Sequence, residues 1–348
     1  MNLLNTSFER SSYGVQIKTS LLFESALGIA MITYPKLHDQ LEMKRVELDE
    51  LKKSLSIELT AELDYCHEHN TWKMLLQLLH VKDFSSPGEF YQFLRSLSES
   101  ELKYYALPFV DIMQENNRLA ASKGDKEAEN DLVLACKGHA FFPQMIHFVC
   151  SSRQAELLKH LHALLDGWYN EVILPKKEWT SGVLERDVFE KRRISQLESP
   201  HKTVLKAAGI DYKPEQGIAD VILIPHVAYR PWTIQADLPA AKVFYYPVSD
   251  SSLMKSTDPF EPSGQLVQKL KAIGDEKRLR ILKLLVKKEL TLKEVTALVG
   301  MGKTTVHHHL TLLKAAGLVH VKGSVYKAAE DSIKGIEKEI FTFLHKET

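Results

Sequence analysis

The stretch GMGKTTVHHHLTLLKAAGLV, residues 300–319, decides how this chain is read. It opens on a glycine turn, passes through three consecutive histidines, His307, His308 and His309, and closes on Gly317. Wound as a helix at about 100° per residue, Val306, Leu310, Leu313 and Gly317 fall within about 40° of one direction and define a packed side. Thr304, His307, His308 and Thr311, at i, i+3, i+4 and i+7, form a polar stripe centred about 150° away, with Lys303 at the helix start. His309 turns toward the packed side beside Thr305 and Leu312, so it is expected to be packed and hydrogen-bonded.

Two chemical readings of the same stretch are weaker. Consecutive helical positions diverge too far to close on one metal ion, and Lys303, Thr304, Thr305, Thr311, Leu312 and Leu313, three or four residues from the histidines, offer no ligand. Gly302-Lys303-Thr304 would need a glycine five residues earlier, after a strand, to cradle phosphate. That position is Ala297, inside a helical pattern.

The flanking residues supply the rest of a compact unit. Leu266 to Ile273 form a helix interrupted by Gly274, and Asp275 can cap a second helix. There Leu279, Ile281, Leu282, Leu284 and Leu285 give a buried stripe, and Arg278, Arg280 and Lys283 an exposed one. Thr291-Leu-Lys-Glu294 is a capping box that starts a helix running to about Val299. The next runs from about Lys303 to Ala316, with Gly317 suited to a left-handed terminus and Lys314 favourable in the last turn. LVHV, Lys322-Gly323-Ser324 and VYKA make a hairpin, and Ser332 to Lys346 a last helix. Two short helices about a glycine turn, followed by a hairpin, are a winged helix-turn-helix.

The run LKAIGDEKRLRILKLLVKKELTLKEVTALVGMGKTTVHHHLTLLKAAGLVHVKGSVYKA, about 70 residues with its flanks, resembles the winged helix-turn-helix of ArsR-type bacterial transcriptional regulators. Those read L-x-x-L-x-x-x-x-R-x-x-I-L-x-x-L and then T-V-x-x-H-L-x-x-L-x-x-x-G-L-V, with His309 in the place of the usual histidine before leucine. The preceding region is similar, through SALGIAMITYP, VILIPHVAYRPW and VFYYPV, to the N-terminal domain of some large ArsR-type proteins. The resemblance implies DNA binding as a dimer, paired through the helices that open and close the module. It also raises metal sensing, but the family's Cys-x-Cys positions correspond to Thr291 and Lys293. The alternative family site on the last helix would have Asp331, Glu337, Glu339, Glu347 and only His345.

Composition agrees with a reader attached to a body. The chain has 348 residues and no net charge, yet residues 262–348 hold 16 Lys and Arg against 9 Asp and Glu, plus seven, leaving minus seven elsewhere. A basic module on an acidic body points to a polyanion partner. The longest early apolar run, Ala26 to Tyr34, is too short for a membrane span and lacks a basic leader, so a soluble cytoplasmic protein is expected. Cys66, Cys136 and Cys150 form no CxxC pair and read as buried thiols. Within the body, residues 13–20 suggest a strand and Leu21 to Tyr34 a buried helix ended by Pro35. Residues 38–80 carry amphipathic helices, and more are expected at 87–97, 99–120, 126–136, 152–172 and 181–197. Residues 219–237 and 241–248 read as a small sheet closing the body. Cys66 with His69, and His160 with His162, read as residues of solvated helix faces. Asp211, Glu215 and Asp220 form no acid and base pair, so no catalytic constellation is evident.

The expected fold is mainly α: a large helical N-terminal domain with a small β-sheet element (α+β) over 1–250, a linker over 251–262, and a winged helix-turn-helix domain over 263–348. The expected function is a sequence-specific DNA-binding transcriptional regulator, a repressor acting as a homodimer on a two-fold operator, with no cofactor and a small-molecule effector as a further partner. A metal-responsive sensor and an enzyme whose tail binds DNA are the alternatives. The candidate DNA contacts are Thr291, Lys293, Lys303, Thr304, Thr305, His307, His308, Thr311, Lys322 and Lys327. Leu266, Leu270, Ile336, Ile340 and Phe343 are the candidate dimer contacts.

Overall fold

A computed structural model describes residues 13–215, 217–253, 262, 264–322 and 324–345. The body begins with β1 (Gly14–Ile17), α1 (Leu21–Thr33), a 3-10 turn at Pro35–Gln40, α2 (Arg45–Ser54), α3 (Ile57–His69) and α4 (Trp72–Leu79). It continues through α5 (Pro87–Ser96), α6 (Glu99–Ala106), α7 (Glu115–Ser122), α8 (Lys126–Ala135), α9 (Phe142–Ser151) and α10 (Gln154–Trp168). Next come α11 (Lys177–Leu197), α12 (Pro200–Ala208), β2 (Asp220–His226), β3 (Ile234–Leu238), β4 (Ala241–Pro247) and α13 (Asp250–Leu253). The reader holds α14 (Gly264–Ile273), α15 (Glu276–Lys287), β5 (Leu290–Thr291), α16 (Leu292–Val299), α17 (Lys303–Ala315), β6 (Val319–Lys322), β7 (Val325–Ala328) and α18 (Glu330–Leu344).

The body sheet is central, not a closing flap. Its order is β1-β2-β4-β3, with β1, β2 and β4 parallel and β3 antiparallel to β4. Because side chains alternate across a strand, Ile222, Ile224, Val243 and Tyr245 face the helical core around α1, while Val221, Leu223, Phe244 and Tyr246 face α11 and α12. Both faces are covered, which is why VILI and VFYY are continuous apolar runs rather than alternating ones. The α1 helix, capped by the Ser20 hydroxyl, is buried almost all round between that sheet and α10. Gly28 permits this approach, since a Cβ there would lie 2.7 Å from the Trp168 ring. The buried Glu24 carboxylate accepts from the amides of Val227 (2.9 Å) and Ala228 (2.8 Å), tying α1 to the turn after β2.

Several expectations are corrected. The helix expected over 99–120 breaks at Leu107 before Pro108, and Asp111 caps the chain anew by accepting from Met113 and Gln114. Besides α13, two helices were not expected: α9, which starts at Phe142 after a turn in which His139 Nδ1 accepts from the amides of Phe141 and Phe142, and α12, which starts at the Ser199 cap followed by Pro200. The start of the expected linker is the helix α13, while 254–261 lie outside the described residues. His160 is buried rather than solvated, and Cys66 is the buried thiol that its lack of a CxxC partner suggested rather than part of a solvated face with His69. The thiol of Cys66 is pushed up by burial to about 11, and His160 sits between Glu62 Oε2 (2.5 Å) and the Thr71 hydroxyl (2.6 Å). All three cysteines are free and buried. Among the described residues no group of ligands could hold a metal ion, and no helix is long and apolar enough to cross a membrane.

Candidate nucleic-acid interface

The reader has its own core, in which Ile281, Leu282 and Leu285 of α15 meet Val295 and Val299 of α16, Val306, Leu310 and Leu313 of α17, and Ile336 of α18. The β5-β7-β6 sheet backs it, adding to the expected hairpin a third strand, Leu290–Thr291, that the pattern was too short to reveal. Caps fix where each helix points. Asp275 accepts from the amide of Arg278 at 2.9 Å, which starts α15. At Thr291 the reciprocal box is complete: its hydroxyl accepts from Glu294 N, and its own amide donates to Glu294 Oε2 at 2.7 Å. Those hydrogen bonds hold the Glu294 carboxyl below its ordinary value. Gly300 ends α16 with φ +67°, a left-handed conformation that a side chain would strain.

Along α15 the stripe sits differently from the expectation. Leu279 is half exposed and Arg278 is partly buried, donating at 2.8 Å to the carbonyls of Ala272 and Lys271. The reason is angular. Relative to the direction shared by Ile281, Leu282 and Leu285, Arg278 falls within about 20° and Leu279 more than about 100° away. Arg278 thereby serves the C-terminal carbonyls of α14, which its charge suits.

The α17 helix has the two sides its sequence implies. Val306, Leu310 and Leu313 are fully buried, while Lys303, Thr304, Thr305, His307 and His308 are exposed. Gly302 precedes the helix without any side-chain cap bond, so the first-turn amides remain open at the end where the helix dipole is positive. His309 is packed, as expected, but neither ring nitrogen has a hydrogen-bond partner among the described residues. The expected hydrogen bond is absent although Asp275, Arg278 and His308 lie near the ring. Burial lowers its pKa, against the smaller upward pull of Asp275.

The remaining candidates fall in different places. Lys293 is exposed on α16, and Lys327 is exposed on the wing, 3.2 Å from Glu289 in a solvent-facing pair worth little. Thr291 is committed to its cap. Thr311 is half-buried, donates at 2.9 Å to the His307 carbonyl, and lines a cleft between reader and body. The Lys322 side chain lies outside the described residues. Of the dimer candidates, Leu266 and Ile336 are buried within the chain where α14 packs on α18. Leu270 is exposed, and Ile340 and Phe343 are half-buried. The sequence reading missed that cleft entirely. It lies beside the wing, where Val321 bridges Ile210 of the body, and nothing in local periodicity reports such a contact between distant segments.

A search of the curated proteins returned no match. Residues 275–321, from the Asp275 cap through β6, match the family model described as bacterial regulatory protein, arsR family, and the chain therefore carries an ArsR-family regulator domain in its C-terminal part, after a large region with no family assigned.

Proposed function

We propose that the chain is a sequence-specific DNA-binding transcriptional regulator, a cytoplasmic repressor that binds a two-fold operator as a homodimer, its body sensing rather than catalytic. One observation carries this reading. The polar stripe Lys303, Thr304, His307 and His308 stands exposed on a helix whose other side is fully buried, and among the described residues nothing covers it. Lys303, Lys293, Lys327 and the open amides of α17 would contact phosphates, which places the domain and makes affinity fall with salt. Thr304, His307 and His308, flanked by Thr305, would meet base edges in the major groove, where hydroxyl and imidazole groups can donate or accept. Thr291 and Thr311 contribute less, their hydroxyls already engaged. Leu270, Ile340 and Phe343 remain available for pairing, whereas Leu266 and Ile336 stabilise the single chain.

One recognition helix spans only a few base pairs, so a dimer should protect two half-sites about 34 Å apart. Hydroxyl-radical footprinting on the DNA upstream of the chain's own gene should show two protected patches one helical turn apart. A single patch would contradict the dimer, and uniform protection would contradict sequence specificity.

A further inference from the structure

Between body and reader lies a cleft of about 600 Å³, a size typical of small-molecule sites. The C-terminal part of α12, the 230–233 loop and the end of β4 form one side of it, and the last turns of α17 with the wing form the other. Leu205, Pro231, Val319 and Val325 give it apolar surface. Most of its charged groups are spoken for. Arg230 is held by Glu42 (2.8 Å) and Asp250, Lys206 by Glu198 (2.6 Å), Lys191 by Asp187 (3.3 Å), and Lys327 by Glu289 (3.2 Å). His201 is 2.5 Å from Asp211.

Two groups in the lining are not satisfied. Among the described residues, Lys314 is half-buried with no acidic partner, and the Trp232 indole Nε1 is buried with no acceptor. Both are donors, and burying a donor or a cation unpaired costs free energy. The favourable position of Lys314 near the α17 C-terminus accounts for part of its placement, but it supplies nothing to Trp232. Each lacks an acceptor, and one beside the ammonium group of Lys314 should be negatively charged. Burial lowers the pKa of Lys314, a shift that an anion beside it would reverse.

We propose that this cleft binds a small organic anion, a carboxylate or sulfonate head on an apolar frame, with Lys314 and Trp232 as its anchors. Lys314 lies on the recognition helix and Trp232 on the body, so occupancy ties the two parts together. Its consequence for DNA rests on the function proposed above, but its binding does not.

The test uses the full chain without DNA. Two fluorescent probes are titrated: 1-anilinonaphthalene-8-sulfonate, and N-phenyl-1-naphthylamine, which lacks the charge. The sulfonate should saturate at one site, and Lys314→Met should weaken it at least about tenfold, as loss of a charge-assisted bond requires. The uncharged probe should bind wild type and variant alike. Trp232→Phe, which keeps the ring but removes the donor, should weaken the sulfonate by a smaller factor. Thermal unfolding of both variants should match or exceed wild type, because each removes an unpaired buried group. Sulfonate binding that is unsaturable, or unchanged in Lys314→Met, would overturn the site. A gel-shift with and without the sulfonate then reads the coupling, and a wild-type chain that never shifts DNA would count against the proposed function rather than the cleft.

Discussion

Two buried histidines set the body and the reader apart. His160, in the body, holds Glu62 at Nδ1 (2.5 Å) and the Thr71 hydroxyl at Nε2 (2.6 Å), and burial lowers its pKa against the upward pull of Glu62, so one ring joins α3, α10 and the start of α4. His309, in the reader, is nearly as buried and, among the described residues, bonded at neither nitrogen. The body spends buried polar groups as ties: Glu24 on two amides, Arg230 between two carboxylates, His226 between the Trp232 carbonyl and the Tyr229 amide. The reader has fewer such ties, chiefly Lys269 on Glu339 and Arg278 on the α14 carbonyls, and relies on caps at its helix ends and an apolar stripe inside, with the polar stripe of α17 outward. A domain whose polar groups face inward is specified by its own contacts; one whose polar groups face outward is available to a partner.

The contrast can be broken at its strongest point with acid. His226 is fully buried and its pKa is pushed down to about 3, and that of His80 to about 4, both chiefly by burial. Their folded values lie below the unfolded value near 6.5, so the stability they confer is complete above that pH. It is lost progressively as pH falls toward about 3. The body should lose several kcal/mol across this window, since each pKa unit is worth about 1.4 kcal/mol. Thermal melts of wild type and His226→Gln at matched ionic strength should show a shallower slope in the variant; parallel slopes would remove His226 from the account. Next in size, His160→Leu should cost about 3 kcal/mol by leaving Thr71 and Glu62 unpartnered. At the small end, His309→Leu should be neutral or stabilise by up to about 1 kcal/mol, because it removes two buried, unbonded polar atoms. It should leave DNA affinity within about threefold, which corresponds to less than 1 kcal/mol. A costly His309→Leu would erase the distinction between the two histidines.

What was legible in the sequence follows the same division. The reader is built from local signals, and each named its element: the Thr291 and Glu294 box, the Asp275 cap, left-handed Gly300 and Gly317, and the stripe of Val306, Leu310 and Leu313. The Leu279 assignment failed because every leucine on α15 was placed in one stripe, although that stripe would have spanned most of the helix. In the body, α12 was readable from Ser199-Pro200 and Gly209, and α9 was not, since its N-cap position is Phe141 with no side-chain cap bond and only His139 in the preceding turn serves its first amides. The parallel sheet was hidden because β1 and β2 stand about two hundred residues apart in sequence and join only through tertiary packing. His160, Cys66 and the cleft were hidden for that reason too: their partners come from other elements.

The central claim is that the exposed stripe of α17 reads base edges. The direct measurement is a gel-shift of the full chain, wild type against Lys303→Ala, His307→Ala, His308→Ala combined, on its upstream DNA and on a scrambled duplex. The account predicts that the variant melts like wild type and still binds weakly through Lys293 and Lys327, but loses its preference for the upstream DNA, at about 1–3 kcal/mol per base contact removed. Undiminished preference in the variant would contradict it.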